Sequence, residues 1–234
     1  MSTDCDALWL YGSHARGQAD DRSDCDVLAI SDMPIQKEMA AKLSGLSEMS
    51  ISVSRYSWIE LDSMAAYGSL FLQHLRLEGK CLYEGPGFEG RLAELLSRLG
   101  PYRRACFDLK CYRNCIGDVC DSLSEASSAL YEVSVLATVI RHASILGCFL
   151  LGVPDFGRLS PVINFVRIRR LDAKIADFLR DIYPYKFLAD GRTVSVKAPT
   201  KNIVVEGLEF SNIILNHVER VLYEYERSVS PACR

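Results

Sequence analysis

The stretch Leu8–Ile30, LWLYGSHARGQADDRSDCDVLAI, constrains this chain more than any other. One apolar run leads into Gly12-Ser13, and a second apolar run carries Asp24 and Asp26. Side chains on a strand alternate between its faces, so residues two apart share one. The spacing therefore predicts Asp24 and Asp26 on a common face, with Cys25 on the other. Two carboxylates beside a Gly-Ser turn suit a hard cation and phosphate oxygens, because Mg²⁺ is commonly held by one or two carboxylates plus substrate phosphates. The turn offers backbone N–H groups to such phosphates, at the start of a short helix predicted near His14.

Gly12-Ser13, Ala15-Arg16-Gly17 and Ser23-Asp24-Cys25-Asp26-Val27-Leu28 together resemble the signature of the DNA polymerase beta-type nucleotidyltransferases. The likeness is nearest to the small bacterial branch that holds the minimal and the aminoglycoside nucleotidyltransferases. Turn, spacer, carboxylate pair and flanking apolar runs all agree, which makes the pattern more specific than a lone Gly-rich loop. The resemblance implies Mg²⁺ as cofactor and ATP or another nucleoside triphosphate as substrate. It implies Asp24 and Asp26 as metal-holding catalytic residues. Gly12, Ser13, Arg16 and Ser23 would bind the nucleotide, with Ser13 and nearby amides on the distal phosphates. Arg16 would pair with phosphate oxygens, since its planar fork matches phosphate geometry.

Length and composition agree with a protein of this kind. A chain of 234 residues, 49% apolar, suffices for one large domain or two modest ones. No uncharged apolar run reaches membrane-spanning length. The Met1–Asp6 start has no hydrophobic signal segment. Nine cysteines are then expected as reduced thiols in a cytoplasmic protein. A net charge of −3 disfavours general coating of nucleic acid but leaves room for a local basic patch. A homodimer is the default oligomer.

The chain is expected to divide near Gly85-Pro86-Gly87, into a nucleotidyltransferase domain over 1–88 and a helical domain over 89–234. The expected fold class is α+β: a small mixed sheet with helices, followed by an all-α bundle. In the first part, strands are predicted over Ala7–Tyr11, Val27–Ser31 and Met49–Tyr56. Helices are predicted over Gln36–Leu46, from an N-cap at Ser57 through Met64, and over Ser69–Glu78. In the second part, helices are predicted over Gly90–Leu99, Tyr102–Val119, Ala126–Leu151, Ser160–Val166, Asp172–Ile182 and Glu206–Arg227. Ser122–Glu125 reads as a capping box opening the apolar Ala126–Leu151 helix, the expected centre of the bundle. Gly191–Val205 reads equally as a hairpin or an irregular loop. The helical half resembles two-domain members of the family, in which the acceptor lies between the domains, but it carries no motif that names a substrate.

One departure from the family pattern stands out. A third carboxylate is usual on a later strand, and aligning Ile51 and Val53 puts Ser52 at that position, with Ser54 on the same face. Serine is a poor Mg²⁺ ligand and has no useful basicity at neutral pH. A base would then have to come from elsewhere, with Glu132 on the central helix as one candidate against an ordinary paired residue. Two basic clusters, Arg98, Arg103, Arg104, Lys110 and Arg113, and Arg158, Arg167, Arg169 and Arg170, read either as an RNA-phosphate surface or as solvated helix faces. Cys106, Cys111, Cys115 and Cys120 scatter around a helix and argue against a structural zinc site. His74, His142 and His217 stand alone on helices, where a hydrogen-bonded structural role is expected. Two functions follow from this reading. One is transfer of a nucleoside monophosphate, AMP from ATP foremost, to a hydroxyl on a small molecule, a protein or RNA. The other is a catalytically degenerate nucleotide-binding or scaffolding protein.

Overall fold

The structure, a computed structural model, describes residues 5–20, 23–33, 40, 45, 46, 51–124 and 129–229. The fold is α+β, as expected, and the chain forms two compact units, Met1–Arg104 and Ala105–Arg234.

The first unit runs β1 (Ala7–Tyr11), α1 (Gly12–Ala15), β2 (Cys25–Ile30), β3 (Ile51–Tyr56), α2 (Trp58–Ala66), α3 (Leu70–Glu78), β4 (Lys80–Glu84) and α4 (Arg91–Ser97). The strands form one mixed sheet in the order β3-β2-β1-β4. β1 pairs antiparallel with β2 and β4, and β2 pairs parallel with β3. A parallel pair needs a crossover connection. Here it falls in residues 31–50, and most of the predicted helix Gln36–Leu46 lies outside the described residues. Ala40 within it is helical and fully buried.

Alternation along the strands sorts the core onto the two sheet faces. Cys25, Val27, Ala29, Ile51 and Leu8 pack with Ala40 in one cluster. Leu28, Ile30, Ala7 and Trp9 pack in another with Trp58 and Leu61 of α2, Leu72 and Leu75 of α3, and Leu92, Leu96 and Leu99 in and after α4. Ser57 caps α2 as predicted: its hydroxyl accepts from Glu60 N at 3.3 Å, and its own N–H donates to Glu60 Oε2 at 2.7 Å. The short apolar run at Cys81–Tyr83 is a strand because its backbone completes the open edge of β1.

The division of the chain differs from the expected boundary at 88/89. Gly85 N–H donates to Asp6 O at 2.8 Å, which ties the Gly-Pro-Gly loop to the start of β1. The α4 segment then buries Leu92 and Leu96 on the sheet, so residues 89–104 belong with the first unit. Turn residues marked a loop correctly; only the burial of α4 shows that the loop is no domain boundary.

The second unit contains α5 (Ala105–Ser124), α6 (Ala129–Leu150), α7 (Ser160–Arg169), α8 (Lys174–Ala189) and α9 (Lys201–Val229). α6 packs against the other four. Its length and apolarity pass for a membrane span, yet 72% of its most apolar window is buried within the protein, which marks a core helix. Gly147 permits the close approach of α7, since a Cβ there would lie 2.3 Å from the Phe165 ring.

Several boundaries depart from expectation. Ser122 lies in the last turn of α5 rather than at an N-cap, and its hydroxyl oxygen lies 3.0 Å from Val119 O. Its predicted capping partner Glu125 lies outside the described residues. α8 continues past the predicted end at Ile182 and through Pro184, which offers no N–H to the helix. Burial of Tyr183, Tyr185 and Phe187 holds the extra turns in place. Ile203–Val205 is helical, with Val204 fully buried in α9, while residues 192–200 are irregular, so the hairpin alternative falls.

Arg141 staples α6 to the loop before α7. Its Nε donates to Gly157 O and its Nη2 to Phe156 O, both at 3.0 Å, while Nη1 lies 3.0 Å from His142 Nε2. Arginine has only donors, so His142 Nε2 must accept and the ring must be neutral. Burial, then the charges of Arg141 and Lys186, push the His142 pKa down to about 4. A folded pKa below the unfolded value means that stability is fully present above about pH 6.5 and is lost as pH falls through 4. Thermal unfolding between those limits is expected to show a loss on the order of 3 kcal/mol. His142→Gln, which keeps an acceptor without a titrating ring, is expected to flatten that slope. An unchanged slope in this variant would assign it to other groups.

Candidate functional site

β1 ends at Tyr11, and the chain turns directly into α1 at Gly12, whose φ of 76° suits glycine. Gly12 is buried, and a Cβ placed on it would lie 2.6 Å from Asp26 Oδ2. The Asp26 carboxylate therefore rests on the glycine backbone at the mouth of the turn. The antiparallel register places Asp26 opposite Tyr11. Asp24 is half-buried and stands one residue before β2. Cys25 turns into the opposite core cluster, and Asp26 takes the face of Leu28 and Ile30.

The parallel register pairs Asp26 with Ser52 and Leu28 with Ser54. Ile51 and Val53 pack in the cluster on the opposite face, so Ser52 and Ser54 share Asp26's face by alternation. The position where a third carboxylate was sought is thus a serine beside Asp26. Tyr11 and Ser54 meet through their hydroxyls at 3.0 Å. Burial first, and the Asp26 charge less so, hold the Tyr11 phenol above its usual pKa, against the lowering effect of the Ser54 hydrogen bond. Burial and the same charge raise the Cys25 thiol. Burial is the larger cause of both shifts, and the charge of Asp26 adds to each.

The remaining predicted residues are placed as follows. Ser13 is half-buried in α1, and its carbonyl accepts from Gln18 N–H at 2.9 Å. Ser23 donates its hydroxyl to Asp20 Oδ1 at 2.7 Å and accepts from Asp20 N–H at 3.0 Å, which occupies it in the loop before β2. Its carbonyl lies 3.3 Å from His14 Nε2. Arg16 Nη1 donates to both carboxylate oxygens of Glu78, at 2.7 and 2.9 Å. Glu78 is also in ion-pair contact with His74, one turn earlier on α3. The His74 ring stands edge-on to Tyr11, with centroids 5.7 Å apart. His74 is therefore part of a polar network behind the turn, not an isolated helix residue. Sequence offered one local signal for this network, the i, i+4 spacing of His74 and Glu78; nothing linked either to Arg16.

The candidate base Glu132 is 1% exposed and accepts from Ser122 Oγ at 2.9 Å, so it belongs to the interior of the helical unit. Four members of the basic clusters have partners in their own units. Arg98 pairs with Glu94, Arg113 with Glu219 and Asn216, and Arg169 with Glu224. Arg104 lies over the Tyr67 ring at 3.8 Å.

Among the described residues, no group of three or more His, Cys, Asp and Glu side chains is arranged to hold a metal ion. The described residues offer no all-protein cage. Asp24 and Asp26 fit the other mode, in which a hard cation keeps water and phosphate oxygens alongside one or two carboxylates.

No protein-family model and no curated protein matches the chain. Among solved structures, one titled "Crystal structure of the toxin-antitoxin with AMP-PNP" is 19% identical, with the match covering 50% of this chain and 86% of that one. Its TM-score is 0.28, too low for the likeness to decide fold or chemistry.

Proposed function

We propose that this protein is a Mg²⁺-dependent nucleotidyltransferase that moves a nucleoside monophosphate, AMP from ATP foremost, to a hydroxyl on a small molecule, a protein or RNA. The observation that carries the reading is the seating of the Asp26 carboxylate on Gly12, with Asp24 just before it on the way into β2. That arrangement brings carboxylate oxygens to the mouth of a turn whose first amides have no intrahelical acceptor.

In this reading Asp24 and Asp26 hold the divalent ion. Bound there with the phosphates, the ion supplies charge neutralisation on the transferred and leaving oxygens. Ser13 and the adjoining amides take the distal phosphates and leave the alpha-phosphoryl group exposed to attack. Arg16, held by Glu78, pairs with phosphate oxygens through the rest of its guanidinium. Catalysis of this kind is mostly positioning and electrostatics. Ser52 cannot accept a proton from the acceptor hydroxyl at neutral pH, so activation of that hydroxyl comes from elsewhere or is weak. A cytoplasmic location, expected from the cysteine usage, and a homodimer, the commonest oligomer, complete the proposal.

Ser52 also favours a second reading, a nucleotide-binding protein whose transfer chemistry has decayed. Incubation of the protein with each labelled nucleoside triphosphate and Mg²⁺ separates the two. Pyrophosphate release or self-labelling supports transfer. Mg²⁺-dependent binding without release supports the decayed form, and absence of both sinks the two together. Ser52→Asp is expected to tighten Mg²⁺ binding in calorimetry, because it adds a carboxylate beside Asp26. If a missing base limits transfer, the same change raises the rate by roughly 10²–10⁴-fold. Weaker Mg²⁺ binding in this variant would count against Ser52 as a vacated ligand position.

A further inference from the structure

Arg16 is held on two of its three nitrogens. Nη1 is on Glu78, and Nε donates to Gln18 Oε1 at 3.1 Å. Among the described residues, Nη2 donates to nothing. The pair is well shielded, with side-chain exposures of 20% for Arg16 and 13% for Glu78. Glu78 is in turn braced by His74, which packs edge-on against Tyr11, the residue opposite Asp26. A set of contacts thus runs from the Tyr11 ring through His74 and Glu78 to the guanidinium of Arg16, and Tyr11 is the register partner of Asp26.

We propose that Glu78 is a positioning residue for nucleotide binding: it orients the guanidinium of Arg16, whose backbone N–H closes the turn onto Gly12 O, for the distal phosphates of a nucleoside triphosphate. This rests on the nucleotidyltransferase reading of the site. An arginine carries much rotamer freedom, and one that is already oriented loses less of it on meeting a phosphate. A charge-assisted bond to a carboxylate provides that orientation. The opposing repulsion between Glu78 and the phosphates is softened by the Arg16 charge and by solvent screening. Orientation therefore outweighs repulsion, and removal of Glu78 weakens triphosphate binding.

The test is a double-mutant cycle read by calorimetry with ATP and with AMP, in the presence of Mg²⁺. The proteins are the wild type, Arg16→Ala, Glu78→Ala and the double variant, with melting temperatures measured alongside. Glu78→Ala is expected to weaken ATP binding roughly 5- to 10-fold, and to add less than about 2-fold in the Arg16→Ala background. AMP, which lacks the distal phosphates, is expected to be affected far less. Glu78→Gln keeps an acceptor for Arg16 and is expected to restore part of the loss; it also carries the test if the alanine variant does not fold. Unchanged or tighter ATP binding in Glu78→Ala overturns the proposal. So does an equal loss for AMP, or a loss that persists without Arg16, since either marks a purely structural role. If wild type binds ATP and Ser13→Ala weakens it while Glu78→Ala does not, this proposal fails and the reading of the site stands. If wild type binds no nucleotide, both fail.

Discussion

Asp26→Asn is expected to abolish Mg²⁺-dependent nucleotide binding and transfer while leaving the fold intact. The substitution keeps the shape of a half-buried side chain, removes its charge and turns one acceptor oxygen into an N–H donor. That charge contributes to the raised pKa of Tyr11 on one side and of Cys25 on the other. A charge so placed beside the turn is available to a cation there. Stabilisation of transferring charge by a bound metal is worth several kcal/mol, so a loss on the order of 10³-fold in rate is expected. Circular dichroism and thermal melting check the fold, and calorimetry with ATP and Mg²⁺ checks the site. Tight Mg²⁺-dependent ATP binding in the asparagine variant would remove Asp26 from the site altogether.

Gly12→Ala is expected to damage both stability and the site. The positive φ costs an L-residue about 1–2 kcal/mol by itself. The added Cβ would also sit 2.6 Å from Asp26 Oδ2, so the carboxylate has to leave its seat. Gly17 provides the control. Its φ is 69°, and a Cβ there meets nothing within 4 Å, so Gly17→Ala carries the backbone strain without the collision. Gly12→Ala is expected to lose more stability than Gly17→Ala and to lose Mg²⁺-dependent nucleotide binding as Asp26→Asn does. Equal effects of the two alanines on binding would mean that the approach of Gly12 to Asp26 has no functional weight.

These expectations draw on two kinds of information, and the division between them is physical. The pattern over Leu8–Ile30 contains the turn, the strand alternation and the carboxylate spacing, all of which are local. Local geometry follows from steric rules that act between neighbours, so β1, β2, the Ser57 cap of α2 and the α+β class were readable from residue order. The Ser52 position was readable for the same reason: Ile51 and Val53 set the pleat, and the serine between them had to face the other way.

What the sequence left open depends on contacts between distant residues. The unit boundary moved to Arg104 because Leu92 and Leu96 of α4 bury themselves on the sheet, a choice that no turn signal records. α8 crosses Pro184 because buried aromatic side chains outweigh a lost backbone hydrogen bond. Glu132 left the list of candidate bases when its burial beside Ser122 became visible. Arg16 shows the difference most clearly. Its place after the Gly-Ser turn suggested an anion partner, which is a matter of local spacing. Its actual partner is Glu78, 62 residues away along the chain. Sequence by itself determined which groups stand at the turn, because neighbours in the chain are neighbours in space. Only the tertiary structure decided which of them are already paired, because packing of α3 against the sheet chooses that partner and no rule of local spacing can.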